Sequence, residues 1–580
     1  MAQTRLNPIT VEVIGNTLAS IADEILVGLI KSAYSTNIKE RQDCSSVVID
    51  AQGRVVSISD MSLPMHLSSF MFTGEALLKR FPRETIQDGD VFIVNDPYSG
   101  GPSHLADVTF VAPVFHGGEL VAFVGNTGHW PDVGGKAPGQ AALGDATEIY
   151  QEGLRIPLVR LYRAGELQRD ILDLVLLNVR DPDNRDGDIR AHVGSVKLGV
   201  LRMQDLVTQH GSEVFATALD ELLDVAELKA RHGILSLAEG EYEALDYLDD
   251  DMDSDEPIPI RVKVTIRHKP EPSVTVDYAG TGGPARFGIN MPYHGTVTVV
   301  FWVMRSILDP DVQPNAGFER AVKVLAPDNC LVNCKAPSPL GARYEVASQI
   351  PDSLFSALSG IISKGIEAGG HGTHGMGFSG QPPHSFIYYE TVGGGGGARP
   401  DKDGINGVHI TSNLPIEAME QEFPMMADRL EYIPDSGGPG RFRGGVGIRK
   451  DWRMLVDSFV GVHSNRHRIP GPGLLDGKDG TLTRIVRNPD SSSPETIPRE
   501  ATFVPVSPDD VVSIFAGGGG GYGDPLERLP DHVLQDVVNG LVTVEGARRD
   551  YGVVVDPEQG QLDIKATERL RRSISANRKA

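Results

Sequence analysis

The chain has 580 residues, enough to bury several cores, and its 78 acidic against 54 basic side chains leave a net charge of −24. That excess of acid excludes nucleic acid and anionic membrane surfaces as partners, because both are bound through basic patches that displace counterions. Three cysteines, Cys44, Cys330 and Cys334, and a start without a basic-then-apolar leader point to a reducing, cytoplasmic setting. The longest apolar run, Thr296–Met304, falls well short of the roughly 20 residues that span a bilayer.

Asn7-Pro8 supplies an N-cap and an N1 proline for a first helix, and Ile14, Leu18, Ile21, Ile25 and Leu29 give it one apolar face up to Ser35–Asn37. Two short strands then flank Ala51-Gln52-Gly53, with Asp43 just ahead of the first. A helix is expected over Leu63–Arg80. Val108–Phe115 and Leu120–Thr127 are β-branched runs joined by His116-Gly117-Gly118-Glu119, a tight hairpin. Helices follow over Gln168–Leu177, Asp188–His210 and Glu213–His232. The acidic run Asp249–Glu256 reads as a solvated loop, since it lacks the glycine and terminal glutamate of a calcium loop. IRVKVTIRH and SVTVDYAG form a third hairpin, followed by a helix over Gly295–Leu308, a strand over Ala321–Val324 and an apolar helix over Asp352–Ile366. Glycine punctuates the remainder, with five-residue runs at Gly393–Gly397 and Gly517–Gly521 that suit close backbone packing. A helix over His532–Asn539 precedes a basic, frayed end, Arg569–Ala580.

The pattern predicts a large mixed α+β protein of several layers, with β-hairpins and sheets, flanking helices and glycine-rich loops. Three regions are expected: 1–245, carrying the candidate metal residues; 246–525, a glycine-rich α+β core; and 526–580, a helical tail.

No phosphate-binding loop, nucleophile elbow, H-E-x-x-H or dinucleotide fingerprint occurs. The hairpin instead brings the start of one strand beside the end of the other, where His104, Asp107 and His129 meet. Two imidazoles and a carboxylate suit Zn²⁺, with Mn²⁺ second. Asp43 is a fourth ligand by its place before a neighbouring strand. Three or four protein ligands leave a position for water, which on such an ion becomes a nucleophile near neutral pH. A one-residue slip of register would put Asp107 and His129 on opposite faces. The bland alternatives are a packed loop histidine at His129, turn-capping aspartates at Asp107 and Asp43, and a buried structural thiol at Cys44. Cys330-x-x-x-Cys334 lacks a second Cys/His pair to complete a zinc site. His371-Gly-Thr-His374 is another metal candidate, and a backbone-driven turn is its alternative.

The stretches NDPYSGG (95–101), HLADVTFVAPVF (104–115) and GNTGHWPDVGG (125–135) are followed in order by IYQEGLRIP (149–157), NVRDP (178–182) and VDYAGTGGPARFGIN (276–290). NLPIEAMEQEFP (413–424), DSGGPGRFRGG (435–445) and GGGGGYGDPLER (517–528) complete the series. This ordered set resembles the B component of the hydantoinase/oxoprolinase family over nearly the whole chain.

The resemblance implies a partner, a larger A-type subunit that binds ATP on an actin-like fold and phosphorylates a lactam, hydantoin or 5-oxoproline ring. The B-type subunit would then hydrolyse the activated ring with metal-bound water, in a cytoplasmic hetero-oligomer. It also implies metal ligation by Asp43, His104, Asp107 and His129. A related branch carboxylates ketones such as acetone or acetophenone, and a non-catalytic scaffold is the third reading. Asp132 and Glu152 stand in the matching motifs as candidate general bases. Ala106 replaces a frequent proline, and Cys44 stands where an aromatic is common, so the pocket and its substrate range are open.

Overall fold

The computed structural model describes residues 6–139, 145–250, 252, 254–408, 411, 413–556 and 560–579. They confirm a mixed α+β fold with several separate sheets, and the chain divides into two compact units. Unit 1 comprises 1–242, 262–347 and 387–389; unit 2 comprises 243–261, 348–386 and 390–580. The boundary expected between 245 and 246 falls inside a strand, Gly240–Leu248, and the C-terminal tail belongs to unit 2.

Unit 1 is organised on a seven-stranded antiparallel sheet. Its strands are β1 (Cys44–Asp50), β2 (Val55–Ile58), β3 (Val91–Val94), β4 (Asp107–His116), β5 (Glu119–His129), β6 (Val159–Arg163) and β7 (Glu166–Leu167), in the order β2-β1-β5-β4-β3-β6-β7. Both faces are covered, as alternate side chains require. Val48, Phe110 and Val124 pack with Leu18, Ile25 and Leu29 of the helix Pro8–Ser32 and with Val196 and Met203 of the helix Pro182–His210. Val47, Val111 and Phe123 pack on the other face with Leu67, Phe70 and Leu77. The first helix is long and apolar enough to cross a membrane by length and mean hydropathy, yet its apolar stripe is buried in this core.

Several sequence expectations shift. The helix expected over Leu63–Arg80 breaks into Pro64–Leu67, Ser68–Met71 and Thr73–Arg80. The apolar helix expected over Asp352–Ile366 runs Tyr344–Leu358 instead, with Pro351 accommodated inside it. Pro351 forfeits one backbone donor but does not end the helix, because packing outweighs local propensity. The acidic run is not simply solvated: Asp249 accepts the backbone N–H groups of His467 and Ile469, and Asp250 pairs with Arg468 and Arg499. Basic partners more than 200 residues away made those carboxylates worth burying. The basic tail is helical over Ile564–Lys579, where Arg571 donates to the Tyr551 carbonyl and Arg578 pairs with Asp524.

The glycine runs of unit 2 form a laterally bonded bundle of extended segments. Gly395 N donates to Gly517 O at 2.9 Å, Gly445 N to Gly396 O at 2.8 Å, Gly519 N to Gly445 O at 3.0 Å and Gly520 N to Gly369 O at 2.8 Å. A Cβ built on Gly395 would sit 1.9 Å from Gly445 O, and one on Gly444 1.9 Å from Gly519 O. The segments are packed backbone against backbone, so only glycine fits.

Candidate metal centre

The hairpin of β4 and β5 sets the site. Gly117 and Gly118 take positive φ at its tip, where His116 pairs with Glu119. Counting outward from that pair would put Asp107 opposite Gly128. A bulge leaves Val121 unpaired between the Phe115–Leu120 and Val114–Ala122 pairs, and beyond it Asp107 pairs with His129. Directly opposed residues of an antiparallel pair share a face, so these two side chains lie together. On the other side of β5, Cys44 pairs with Gly128, and His129 N donates to Asp43 O at 2.9 Å. Asp43, His129 and Asp107 thus stand in a row across three adjacent strands. The loop carrying His104 is pinned at its end by Asn95 Nδ2 on Leu105 O and Trp130 N on Ala106 O.

The structure brings His104, Asp107 and His129 together, with one ligand atom from each within 4.8 Å of the others. His104 Nε2 is 3.0 Å from Asp107 Oδ2. Neither ring nitrogen of His104, nor Asp107 Oδ1, makes a hydrogen bond among the described residues, although all are buried. Buried polar atoms without partners are costly, and a cation bound here would satisfy them. Asp43 reaches the cluster through a histidine the sequence reading missed. His66 Nε2 lies 3.4 Å from Asp43 Oδ1 and 3.4 Å from Asp107 Oδ1, while its Nδ1 meets Ser45 Oγ at 3.0 Å. All five side chains are 4% exposed or less.

Two arginines and two polar anchors frame the cluster. Arg343 Nη2 donates to Asp107 Oδ2 at 3.0 Å and Nε to Ser103 Oγ. Arg41 Nη1 donates to the Tyr389 carbonyl at 3.1 Å. Asn37 Nδ2 meets His129 Nδ1 at 3.2 Å, and the Tyr389 ring stacks on His129 with centroids 5.4 Å apart. None of these carries a local signal in the sequence; Arg343 lies 236 residues from Asp107 and is placed only by folding.

The electrostatics prepare the donors. Burial pushes the Asp107 carboxyl up, but His104 and His66 beside it pull it well below the usual carboxylate range. Burial raises Asp43, against the pull of His66 and Arg41. Burial, aided by Arg343, lowers His104 to about 4, and burial with His104 holds His129 well below its ordinary value. At neutral pH the two imidazoles therefore keep lone pairs and Asp107 keeps its charge, the state in which such groups ligate a cation.

The other candidates sit elsewhere. Asp132 accepts from Gly134 N and Arg180 N, both at 3.0 Å, and from Arg180 Nη1 at 2.8 Å. Glu152 Oε1 accepts from Leu340 N at 2.7 Å and Gly341 N at 2.6 Å. Both carboxylates tie loops to distant backbone. Burial and the charge of Asp43 push the Cys44 thiol far up, and burial takes Cys334 to about 12, so both stay neutral. His371 and His374 bond each other, and His374 also meets Ser464 and Thr483.

Known proteins share this sequence pattern and fold. Residues 7–525 match the family model described as hydantoinase B/oxoprolinase. The caprolactamase subunit beta of Pseudomonas jessenii is 30% identical over 586 residues, covering 97% of this chain and 98% of that one. The crystal structure of the ATP-dependent caprolactamase from the same organism superposes with a TM-score of 0.89 at 29% identity, covering 98% of this chain and all of that one. A nucleotide-free acetone carboxylase shares the fold, with a TM-score of 0.88 at 20% identity over 99% of this chain and 83% of that one. The chain belongs to the hydantoinase B/oxoprolinase family.

Proposed function

We propose that this chain is the B-type subunit of an ATP-dependent cyclic-amide hydrolase, acting on a lactam, hydantoin or 5-oxoproline ring that an A-type partner phosphorylates with its own ATP. The observation that carries the reading is the row Asp43–His129–Asp107 with His104 and His66, in a chain similar end to end to a caprolactamase subunit. Amide resonance makes a lactam carbonyl a poor electrophile; O-phosphorylation removes that resonance and installs a leaving group. Overall, ring, ATP and two waters give the ring-opened acid, ADP and phosphate, the acid being an amino acid from a lactam or 5-oxoproline and an N-carbamoyl amino acid from a hydantoin.

Asp43, His104, Asp107 and His129 would hold one divalent cation, Zn²⁺ before Mn²⁺, from two imidazole nitrogens and two carboxylates. Such an ion supplies Lewis acidity, polarising a carbonyl or phosphoryl oxygen and acidifying water. The chain's own residues do the positioning. Asn37 and Tyr389 fix the His129 ring, Arg343 and His66 fix the Asp107 carboxylate, and burial keeps bulk water from screening them. Asp132 and Glu152, held by backbone donors and Arg180, are loop clamps in this scheme rather than proton acceptors.

The test is ADP release by the reconstituted complex with a lactam or hydantoin, set against a ketone plus bicarbonate. Ring-dependent release with amino-acid product supports the reading, and carbon–carbon bond formation from the ketone replaces it with a carboxylase. His104→Ala should abolish turnover and metal binding while the complex still assembles; unchanged turnover would reduce this chain to a scaffold.

A further inference from the structure

Asn37 joins two of the candidate ligands. Its carbonyl accepts the Asp43 N–H at 2.9 Å, and its side-chain amide meets His129 Nδ1 at 3.2 Å. An imidazole that ligates a cation through one nitrogen needs a partner on the other to fix its ring, and Asn37 fills that place. Yet Asn37 sits on a helix of only four residues, Thr36–Lys39, too short to be stable by itself. Among the described residues no side chain caps it. Its aim must come from outside.

The helix Pro182–His210 supplies it. Asp188 Oδ1 accepts the N–H groups of Tyr34 at 2.8 Å and Ser35 at 3.0 Å, the two residues that lead into the short helix. The Tyr34 ring lies so close to Gly187 that a Cβ there would come within 2.5 Å of it. Asp188 Oδ2 takes Arg185 Nη1 at 2.6 Å. The Arg185 guanidinium in turn lies 5.1 Å from the ring centroid of Trp130, the residue after His129. Both side chains of the ion pair are 1% exposed or less. A buried ion pair adds little net stability, but this one adds direction. One carboxylate oxygen is fixed by the guanidinium, and the other is turned to two adjacent backbone donors.

We infer that Asp188, held by Arg185, is a positioning residue for the candidate metal centre, acting on His129 and Asp43 through Asn37. Its carboxylate bonds to neither ligand among the described residues. The inference rests on the reading of His129 and Asp43 as ligands, and it assigns the element that holds them in register.

The test uses the purified full chain and Mn²⁺, with free Mn²⁺ read by electron paramagnetic resonance. Asp188→Ala should weaken Mn²⁺ binding at least fivefold, and Asn37→Ala about 10- to 100-fold. Combining the two should cost no more than threefold beyond Asn37→Ala alone, because a residue acting only through Asn37 has nothing further to lose. Arg185→Gln with Asp188→Asn keeps an oxygen for the two N–H groups and replaces the ion pair by an amide–amide hydrogen bond. That pair should bind Mn²⁺ within threefold of the unaltered chain. A smaller loss in Asp188→Ala, losses that multiply in the combined variant, or a larger loss in the amide pair overturns the inference. Should Asp188→Ala fail to fold, Arg185→Leu with Asp188→Ala, which leaves no lone buried charge, takes its place. The two readings fail distinguishably: no Mn²⁺ binding by the unaltered chain removes the metal reading and this inference with it, and binding indifferent to Asp188 removes this inference alone.

Discussion

The β4–β5 end of unit 1 and the glycine bundle of unit 2 use the same backbone hydrogen bonds to opposite ends. In the first, strand pairing sets Asp107 beside His129 and, with His104, brings one ligand atom from each within 4.8 Å of the others. In the second, pairing between extended segments leaves no room for any side chain at all. One region stores chemistry in what its side chains are, and the other stores stability in their absence. Substitutions should therefore separate the two, with the glycine bundle failing in folding and the candidate metal site failing in binding.

The largest effect is expected at Gly395→Ala. Its Cβ would meet Gly445 O at 1.9 Å with backbone on every side, so unit 2 should lose more than about 4 kcal/mol, seen as a collapsed thermal transition. A normal melting curve would mean the bundle can part, and the comparison would break. Next comes His104→Ala, expected to weaken metal affinity by more than about 100-fold in isothermal titration. Metal-free stability should hardly change, because the substitution also removes two buried nitrogens that lack hydrogen bonds. His66→Gln should cost metal affinity about 10- to 100-fold, since the residue touches both carboxylates without belonging to the proposed ligand set.

The smallest effect is one of pH. His192 donates from Nδ1 to Asn126 Oδ1 and accepts from Trp130 Nε1, and burial lowers it to about 3. Below about 6.5 the unfolded chain takes up a proton that the folded chain refuses, so stability is complete above that pH and falls as pH drops toward 3, by at most about 1.4 kcal/mol per unit. His104 and His129 add slopes of the same sign, so His192→Asn should reduce the total by up to one proton's share in urea titrations between pH 6.5 and 5; an unchanged slope would show that His192 contributes none of it.

How much of this was legible follows from the distance over which each feature is encoded. The hairpin was readable because two β-branched runs and a Gly-Gly tip lie within some twenty residues, and the pairing of Asp107 with His129 followed approximately from the tip. The family motifs carried Asp43. His66 was hidden because its segment read as one helix, whereas Pro64–Leu67 forms a tight turn that aims it at the strands. Arg343 and Tyr389 arrive from far along the chain, and no local pattern marks them. The glycine runs were recognisable as close packing, but which run lies beside which is a tertiary fact. The burial of Asp249 and Asp250 was missed for the same reason, since their partners lie beyond residue 465.

The unpaired Val121 gives the centre a vulnerability that no point substitution reveals. Were Val121 to enter the ladder instead, every candidate ligand would stay in the chain, yet a hairpin paired straight from its tip would set Gly128 against Asp107 and turn His129 to the opposite face. The bulge is thus part of what sets the candidate ligands on one face. Deleting Val121 should spare the alignment, because Ala122 then follows Leu120 in the ladder and Asp107 still meets His129.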